Sequence, residues 1–172
     1  MGPEDRAPTQ DELEKMSHIL SEGLEAGAFG MSTGLYFAPG AYATKGELVE
    51  LGKIASHHGT VLTSHIRDEG SRSIGFIPAV QEIIHIGRQA TVPDHNSHIK
   101  TIRPDTWHTS NDVLKLIDNA RNDGIDVTCD QYPYDTTGGG LAADTLRYSF
   151  QDGKRPNQVS EALKKPEVRQ AI

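Results

Sequence analysis

A regular alternation of strand-like and helix-like segments is the feature that most constrains the fold of this chain. β-prone runs lie near residues 29–35, 60–66, 92–99 and 125–131, so the unit recurs every 32 or 33 residues. Such alternation predicts βα units and a parallel sheet. The period suits a (β/α)₈ barrel, in which about 250 residues supply eight units. Periodicity alone leaves an open doubly wound sheet as an alternative, but no GxGxxG motif follows a strand, which disfavours a Rossmann fold.

We therefore predict a single α/β domain over residues 1–172, built as a partial (β/α)₈ barrel of about four βα units. Four strands do not close a barrel, and a half barrel exposes two sheet edges and its inner face. The chain also starts in a loop and a helix without a preceding strand. We expect sequence to be missing at both ends.

The helical segments carry start and stop signals. Thr9 with Glu12 resembles a capping box, Thr44 with Glu47 opens the second helix, and Gly59 follows its end. The predicted helices cover residues 11–26, 44–58, 73–90 and 106–123, with a helical tail over 158–172.

Charge and composition limit the partners of this chain. Its 24 acidic and 17 basic residues give a net charge of -7, which repels phosphate backbones and argues against nucleic-acid binding. No apolar run is long enough to cross a bilayer, so a membrane partner is not expected. The N-terminus has no secretory pattern, and the single cysteine, Cys129, excludes an internal disulfide. We expect a cytoplasmic protein, unless a signal precedes this sequence.

Polar residues at three successive strand ends mark the candidate site. His65, His98 and Asp130 are separated by 33 and 32 residues, which matches the period of the βα unit. Active sites of barrels lie at the carboxyl ends of their strands, and neighbouring strands are about 4.8 Å apart. Two imidazoles at that separation can bind one zinc ion or serve a dinuclear site. The alternative is that these histidines are simply polar residues near solvent.

Further polar residues follow the same strand ends. Three charged residues follow His65, namely Arg67, Asp68 and Glu69. They either bind substrate, orient metal ligands through hydrogen bonds, or form a solvated loop. Lys100 can pair with a substrate carboxylate. Tyr132 either contacts substrate or packs in a rigid turn. Strand alternation predicts that Cys129 packs against a helix and that His95 points away from His98.

Several of these residues belong to motifs that resemble one family. The segments 27–40, 63–70, 96–100 and 126–134 are similar to GAxGxSTGLxYxPG, THxRDEG, ISHxK and DVTxDxYPY of the D-aminoacylases, and the tail 163–172 resembles their DPExRxxI segment. The resemblance covers nearly the whole chain in the correct order. It implies an amidohydrolase, a metal-bearing (β/α)₈ barrel with a small β-domain, which hydrolyses N-acyl-D-amino acids.

The resemblance also implies roles for individual residues. His65 and His98 would be zinc ligands on the fifth and sixth barrel strands, for one or two ions. Lys100 and Tyr132 would hold the substrate α-carboxylate, and Tyr36 would line the pocket. The charged residues that would stand behind the metal ligands and orient them are Arg67, Asp68, Glu69 and Asp130.

No catalytic residue is identified in the chain, because the expected general base on the eighth strand would lie beyond residue 172. The expected partner is a small-molecule substrate, and self-association is left open.

The chain departs from the family pattern in two ways. No HxH metal motif occurs in it, and Asp94 and His95 interrupt a strand that is usually apolar. An acidic residue inside a barrel is costly unless it is paired, so Asp94 is expected to face a partner or to weaken its strand. Two alternatives remain: a cyclic amidohydrolase of the dihydropyrimidinase or hydantoinase type, and a non-catalytic half barrel. We expect the isolated chain to be inactive.

Overall fold

The structure is a computed structural model that describes residues 2–138 and 156–170, without the side chains of residues 156 and 157. Strands and helices alternate over its first 129 residues, and two short helices lie in the C-terminal part. The strands are β1 (Gly30–Gly34), β2 (Val61–His65), β3 (Asp94–Asn96) and β4 (Val127–Cys129). The helices are α1 (Gln10–Glu25), α2 (Lys45–His57), α3 (Phe76–Ala90), α4 (Ser110–Asn122), α5 (Pro156–Ala162) and α6 (Pro166–Gln170), and 3₁₀ turns occupy Gly40–Tyr42 and Pro104–Thr106.

The four strands form one parallel sheet in the order β1-β2-β3-β4. Each strand pairs with the next one along the chain, and Leu62 pairs with Asp94, which pairs with Val127. The predicted α/β fold of four βα units is therefore confirmed. Because the strands are parallel and in register, their carboxyl ends meet at one edge of the sheet, where the candidate site was predicted.

The third and fourth strands are shorter than the predicted runs 92–99 and 125–131. β3 ends at Asn96, and His98 follows in a turn with a positive φ of 42°, which no strand residue adopts. The predictions that His98 and Asp130 end their strands were therefore wrong by one or two residues. Both still lie at the predicted edge, because the amide of Asp130 donates to the carbonyl of Asn96 at 3.2 Å.

Local capping determines where the helices begin. Thr9 and Glu12 form the predicted capping box of α1, and the side chain of Thr44 accepts the amide of Glu47 at the start of α2. The third helix was predicted from residue 73 but begins at Phe76, because the preceding residues form a loop around Asp68. The fourth was predicted from residue 106 but begins at residue 110, after a 3₁₀ turn.

Helices α2, α3 and α4 cover one face of the sheet and form the core with it. Leu62 and Val127 of the sheet and Ile83 and Ile86 of α3 are at most 1% exposed. Burial of each such side chain stabilises the fold by about 1.5–3 kcal/mol. Side chains on the opposite face are half-buried or exposed, and the row across all four strands is Ser32, Thr63, His95 and Thr128. Within the described residues, no helix is both long and apolar enough to span a membrane.

Asp94 lies on the helix-covered face and not in the barrel interior, which corrects the prediction. It stands in the buried row between Leu62 and Val127, under Gly87 of α3. A Cβ atom added at Gly87 would lie only 3.0 Å from that of Asp94, so glycine allows the helix to pack this closely. The expected partner is not present among the described residues, since neither carboxyl oxygen forms a hydrogen bond of normal geometry. Burial raises the pKa of Asp94 to about 8, and the nearby amide of His95 only partly offsets this rise.

Candidate metal and carboxylate site

The structure brings the two predicted histidines into direct contact. His65 is the last residue of β2, and its Nδ1 lies 2.6 Å from Nε2 of His98, in the turn after β3. One of these nitrogens donates its N–H, and the other accepts with its lone pair. Burial lowers the pKa of His65, and the charge of neighbouring His98 lowers it further. The lowered pKa favours the neutral form of His65, in which an imidazole binds a metal ion.

A buried ion pair lies on the far side of His98. Lys100 Nζ is 2.6 Å from Glu69 Oε1 and 3.1 Å from His98 Nδ1. The same Glu69 oxygen is 3.4 Å from His98 Nδ1. The side chains of Glu69 and Lys100 are only 10% and 13% exposed, so little water screens this contact. The structure thus joins Glu69, predicted to orient a ligand, and Lys100, predicted to bind substrate, in one cluster with His98.

Asp130 holds the turn that carries His98. Its Oδ1 accepts the backbone N–H of His98, and its Oδ2 lies 2.9 Å from Nε2 of His95. The hydrogen bond from His95, followed by that from the His98 amide, holds the pKa of Asp130 below its usual value. Strand alternation predicted that His95 points away from His98, but both residues contact Asp130, because alternation no longer applies after the chain leaves β3 at Asn96.

A cavity of about 520 Å³ opens beside the histidines at the carboxyl edge of the sheet. The hydroxyl of Tyr132 is buried and has no hydrogen-bond partner among the described residues. A bound acceptor, such as a carboxylate, would satisfy this donor. Lys100 Nζ lies 5.5 Å from the centroid of the Tyr132 ring. The predicted site residues that line the cavity are Tyr36, His65, Glu69, His98, Lys100 and Tyr132.

Phe37 also lines this cavity and was missed from the sequence. Its ring packs edge-on against Tyr36, with the centroids 5.0 Å apart, and lies 6.5 Å from the ring of His65. Its position directly after Tyr36 in the sequence could have indicated that it lines the same cavity. The two aromatic rings form an apolar wall next to the histidines.

Cys129 lines a second cavity, of about 440 Å³, together with Val113 and Ile117 of α4. The residue lies on the helix side, as alternation predicted, but it is exposed. Burial of part of its surface raises the pKa of the thiol.

The hydrogen bonds of Arg67 go to α3 and to the loop before α2. Its guanidinium forms an ion pair with Glu82 of α3 at 2.8 Å and donates to the carbonyls of Ala41 and Ala43 at 2.6 and 2.8 Å. These contacts attach the loop before α2 to the end of β2. Arg67 thus supports the segment that follows Tyr36, and it makes no described hydrogen bond to His65 or His98.

Asp68 organises the loop between β2 and α3. Its buried carboxylate accepts the backbone N–H groups of Gly70, Arg72, Ser73 and Gly75 at 2.5–3.3 Å. The residue is 1% exposed, so these amides satisfy a charge that water does not reach. Because Glu69 is its neighbour in the chain, Asp68 sets the backbone position from which Glu69 reaches Lys100.

We expect Asp68→Asn to lower the free energy of unfolding by about 2–3 kcal/mol, because an amide NH₂ would face N–H donors that now have a carboxylate acceptor. Urea unfolding of the variant and of the wild-type chain measures this loss. Asp118→Asn, at an exposed position in α4, is the matched control and should change the free energy by less than about 0.5 kcal/mol. Equal stability of the two variants would contradict this role of Asp68.

The histidine pair fits part of a zinc site. Zinc binds neutral imidazole nitrogens, and His65 Nδ1 and His98 Nε2 face each other at hydrogen-bond distance. A structural or catalytic zinc ion takes three or four protein ligands. Within residues 2–138 and 156–170, no group of three His, Cys, Asp or Glu side chains converges on one point. Among the described residues, His65 and His98 could therefore supply two ligands of such a set.

No protein-family model matches this chain. Curated relatives from Alcaligenes xylosoxydans xylosoxydans do match it. N-acyl-D-glutamate deacylase is 41% identical over 127 residues, which is 74% of this chain and 25% of that protein. D-aminoacylase is 36% identical over 129 residues, which is 75% of this chain and 26% of that protein. The chain thus spans about a quarter of the length of these relatives.

Solved structures of amidohydrolases are also similar to this chain in fold. N-acyl-D-glutamate deacylase from Bordetella bronchiseptica, complexed with zinc and a phosphonate inhibitor, superposes with a TM-score of 0.71 at 41% identity and covers 76% of this chain and 27% of that one. L-hydantoinase from Arthrobacter aurescens superposes with a TM-score of 0.52 at 18% identity, over 74% of this chain and 31% of the hydantoinase chain. At this low identity, the likeness shows the fold alone. The four βα units, the motifs around His65, His98 and Asp130, and these likenesses make the chain similar to the N-acyl-D-amino-acid deacylases and D-aminoacylases over about a quarter of their length.

Proposed function

We propose that this chain supplies metal- and carboxylate-binding side chains to a zinc-dependent hydrolase that releases D-amino acids from N-acyl-D-amino acids. The observation that carries the proposal is the contact of His65 Nδ1 with His98 Nε2 beside a cavity that Lys100 and Tyr132 also line. The zinc bound by the Bordetella relative supports the metal. The proposal includes a single domain, a cytoplasmic location and a small-molecule partner. The net charge of -7 disfavours nucleic acid as a partner.

The side chains around the cavity divide the work by their chemistry. His65 and His98 would hold zinc, which when bound polarises an amide carbonyl and lowers the pKa of an attacking water. Lys100 and Tyr132 would donate to the substrate α-carboxylate, since an ammonium and a phenol are both donors. We assign Asp130 to holding the His98 turn and not to proton transfer, because its two oxygens are already engaged.

The same two donors favour an open-chain substrate over a cyclic ureide. An N-acyl-D-amino acid has a carboxylate that can replace Glu69 at Lys100, whereas a hydantoin has none. Tyr36 and Phe37 would then contact the side chain or the acyl group. This favours the deacylase over the hydantoinase-like alternative.

Zinc binding tests the metal site. We expect His98→Ala and His65→Ala each to weaken zinc affinity at least tenfold, because each removes one of two ligands. Competition with a chromogenic chelator measures the dissociation constants. His18→Ala is the matched control, since the side chain of His18 is 72% exposed on α1. Unchanged affinity in both site variants would refute the metal site.

Ligand binding tests the carboxylate site. N-acetyl-D-amino acids should bind the zinc-loaded protein in preference to their L-enantiomers and to hydantoin, as measured by calorimetric titration. We expect Lys100→Met to weaken this binding about tenfold, because it removes a charged hydrogen bond. Lys115→Met, at an exposed position in α4, is the control. Equal affinity of the Lys100 variant, or tighter binding of hydantoin, would contradict the proposed substrate class.

A further inference from the structure

We propose that the second cavity, which Cys129, Val113 and Ile117 line, is a subsite for an uncharged apolar or aromatic side chain of the N-acyl-D-amino acid. This inference rests on the proposed function and adds to it the class of D-amino acid that the chain selects. The acyl group would then lie in the first cavity, the one beside the histidines, against Tyr36 and Phe37.

The second cavity adjoins the first one at the residues proposed to bind the substrate carboxylate. Lys100 and Tyr132 line both cavities, so a carboxylate bound to them lies at the boundary between the two. In an N-acyl-D-amino acid the side chain and the α-carboxylate are attached to the same carbon atom, whereas the acyl group lies beyond the amide nitrogen. The side chain is therefore the part of the substrate that the second cavity receives. The residues that line both cavities are Lys100, Ile102, Tyr132, Tyr134, Thr136 and Thr137.

The walls of the second cavity are largely apolar and are held by the core. Phe76 of α3 and Val113 and Ile117 of α4 are at most 6% exposed and belong to the hydrophobic core. Ile99 and Ile102, from the segment after β3, also line the cavity. Because these residues are anchored in the fold, the cavity is formed before a ligand binds. Its volume of about 440 Å³ exceeds the roughly 150 Å³ of an apolar cavity that binds benzene, so a phenyl group fits.

The charges at the second cavity disfavour an acidic side chain. Among the described residues that line it, the charged ones are Lys100 and Asp135. Lys100 is paired with Glu69 at 2.6 Å, and in the proposed complex it faces the α-carboxylate of the substrate. A second carboxylate on the ligand would therefore meet apolar walls and the like charge of Asp135, and both lower its affinity.

Trp107 reports on ligands in this cavity. It is the single tryptophan of the chain, it lines the second cavity, and it is 66% exposed. A side chain bound against it removes water from the indole, so the emission of Trp107 should shift to shorter wavelengths. Calorimetric titration of the zinc-loaded chain gives the affinities in parallel. We expect N-acetyl-D-phenylalanine to shift the emission and to bind about tenfold more tightly than N-acetyl-D-alanine or N-acetyl-D-glutamate, neither of which should shift it.

Leu114→Arg places a positive charge at the second cavity. Leu114 lies on α4, lines the cavity and is 54% exposed, and arginine favours a helix about as well as leucine, so the variant should fold. It should weaken binding of N-acetyl-D-phenylalanine and strengthen binding of N-acetyl-D-glutamate, so that the ratio of their affinities falls about tenfold. Ile19→Arg, at a position of α1 that is 57% exposed, is the matched control and should leave this ratio unchanged.

The outcomes separate this inference from the proposed function. If no N-acetyl-D-amino acid binds the wild-type chain, or if Lys100→Met does not weaken binding, both fail. If the three ligands bind through Lys100 with equal affinity, if Trp107 emission does not respond, or if Leu114→Arg behaves like Ile19→Arg, only the side-chain subsite is refuted. An emission shift with N-hexanoyl-D-alanine and none with N-acetyl-D-phenylalanine would assign the cavity to the acyl group and would also overturn this inference.

Discussion

Asp94→Asn is expected to make the chain more stable than the wild type at neutral pH. The wild-type carboxyl is 1% exposed, lies under α3 and accepts no hydrogen bond of normal geometry from the described residues. Burial raises its pKa from 3.8 to about 8, so the folded chain holds a proton that the unfolded chain has released at pH 7. An asparagine of the same shape carries no charge and removes this penalty.

The sign of the pH dependence follows from proton linkage. Between pH 4 and 8 the folded state binds more protons at Asp94 than the unfolded state, so the free energy of unfolding falls as pH rises. This loss of stability is largest above the pKa of Asp94 in the folded state and absent below its pKa in the unfolded state. At pH 7 the gain from Asp94→Asn is therefore up to roughly 4 kcal/mol, since one pKa unit corresponds to about 1.4 kcal/mol.

Urea unfolding of both proteins between pH 4 and 8 measures this effect. The difference between them isolates Asp94, because the other groups titrate in both. The wild type and Asp94→Asn should be about equally stable at pH 4. As pH rises, the free energy of unfolding of the variant should increase relative to that of the wild type. Asp126→Asn, at an exposed residue whose backbone carbonyl accepts the amide of Asp94, should show the same pH dependence as the wild type. Parallel pH profiles for Asp94→Asn and the wild type would show that Asp94 is ionised in the fold.

Arg67→Met is expected to lower the free energy of unfolding by about 3–5 kcal/mol, because removal of one partner leaves the other charge buried and unpaired. Its side chain is 11% exposed and that of Glu82 only 2%. The variant also leaves the carbonyls of Ala41 and Ala43 without their guanidinium donors. The loop between Tyr36 and α2 should therefore loosen.

An exposed ion pair and a double variant control this measurement. Arg88 and Asp123 form a salt bridge of the same length, 2.8 Å, with side chains 51% and 58% exposed. Arg88→Met should cost less than about 1 kcal/mol, because surface ion pairs contribute little. The double variant Arg67→Met with Glu82→Leu should recover part of the loss, since no buried charge remains. A loss at Arg67 no larger than that at Arg88 would refute the buried-pair account.

Local sequence patterns account for most of the architecture. The period of the βα unit predicted a parallel sheet, and Thr9, Thr44 and Gly59 marked helix ends because caps depend on neighbours a few residues away. The same period predicted that His65 and His98 would meet, because residues at equivalent places in successive parallel units share one edge of the sheet.

The directions of the side chains at that edge depended on tertiary contacts. Arg67 turns toward Glu82, 15 residues away, and Glu69 reaches Lys100, 31 residues away, and neither contact leaves a local pattern. His95 shares Asp130 with His98 because the chain leaves its strand at Asn96 and takes a positive φ two residues later.

The sequence by itself determined the order of strands and helices and the edge at which the histidines gather, since both follow from short-range periodicity. Only the tertiary structure decided which face Asp94 occupies and which partners hold His98. Those outcomes depend on the packing of α3 against the sheet and on charges brought together from distant units.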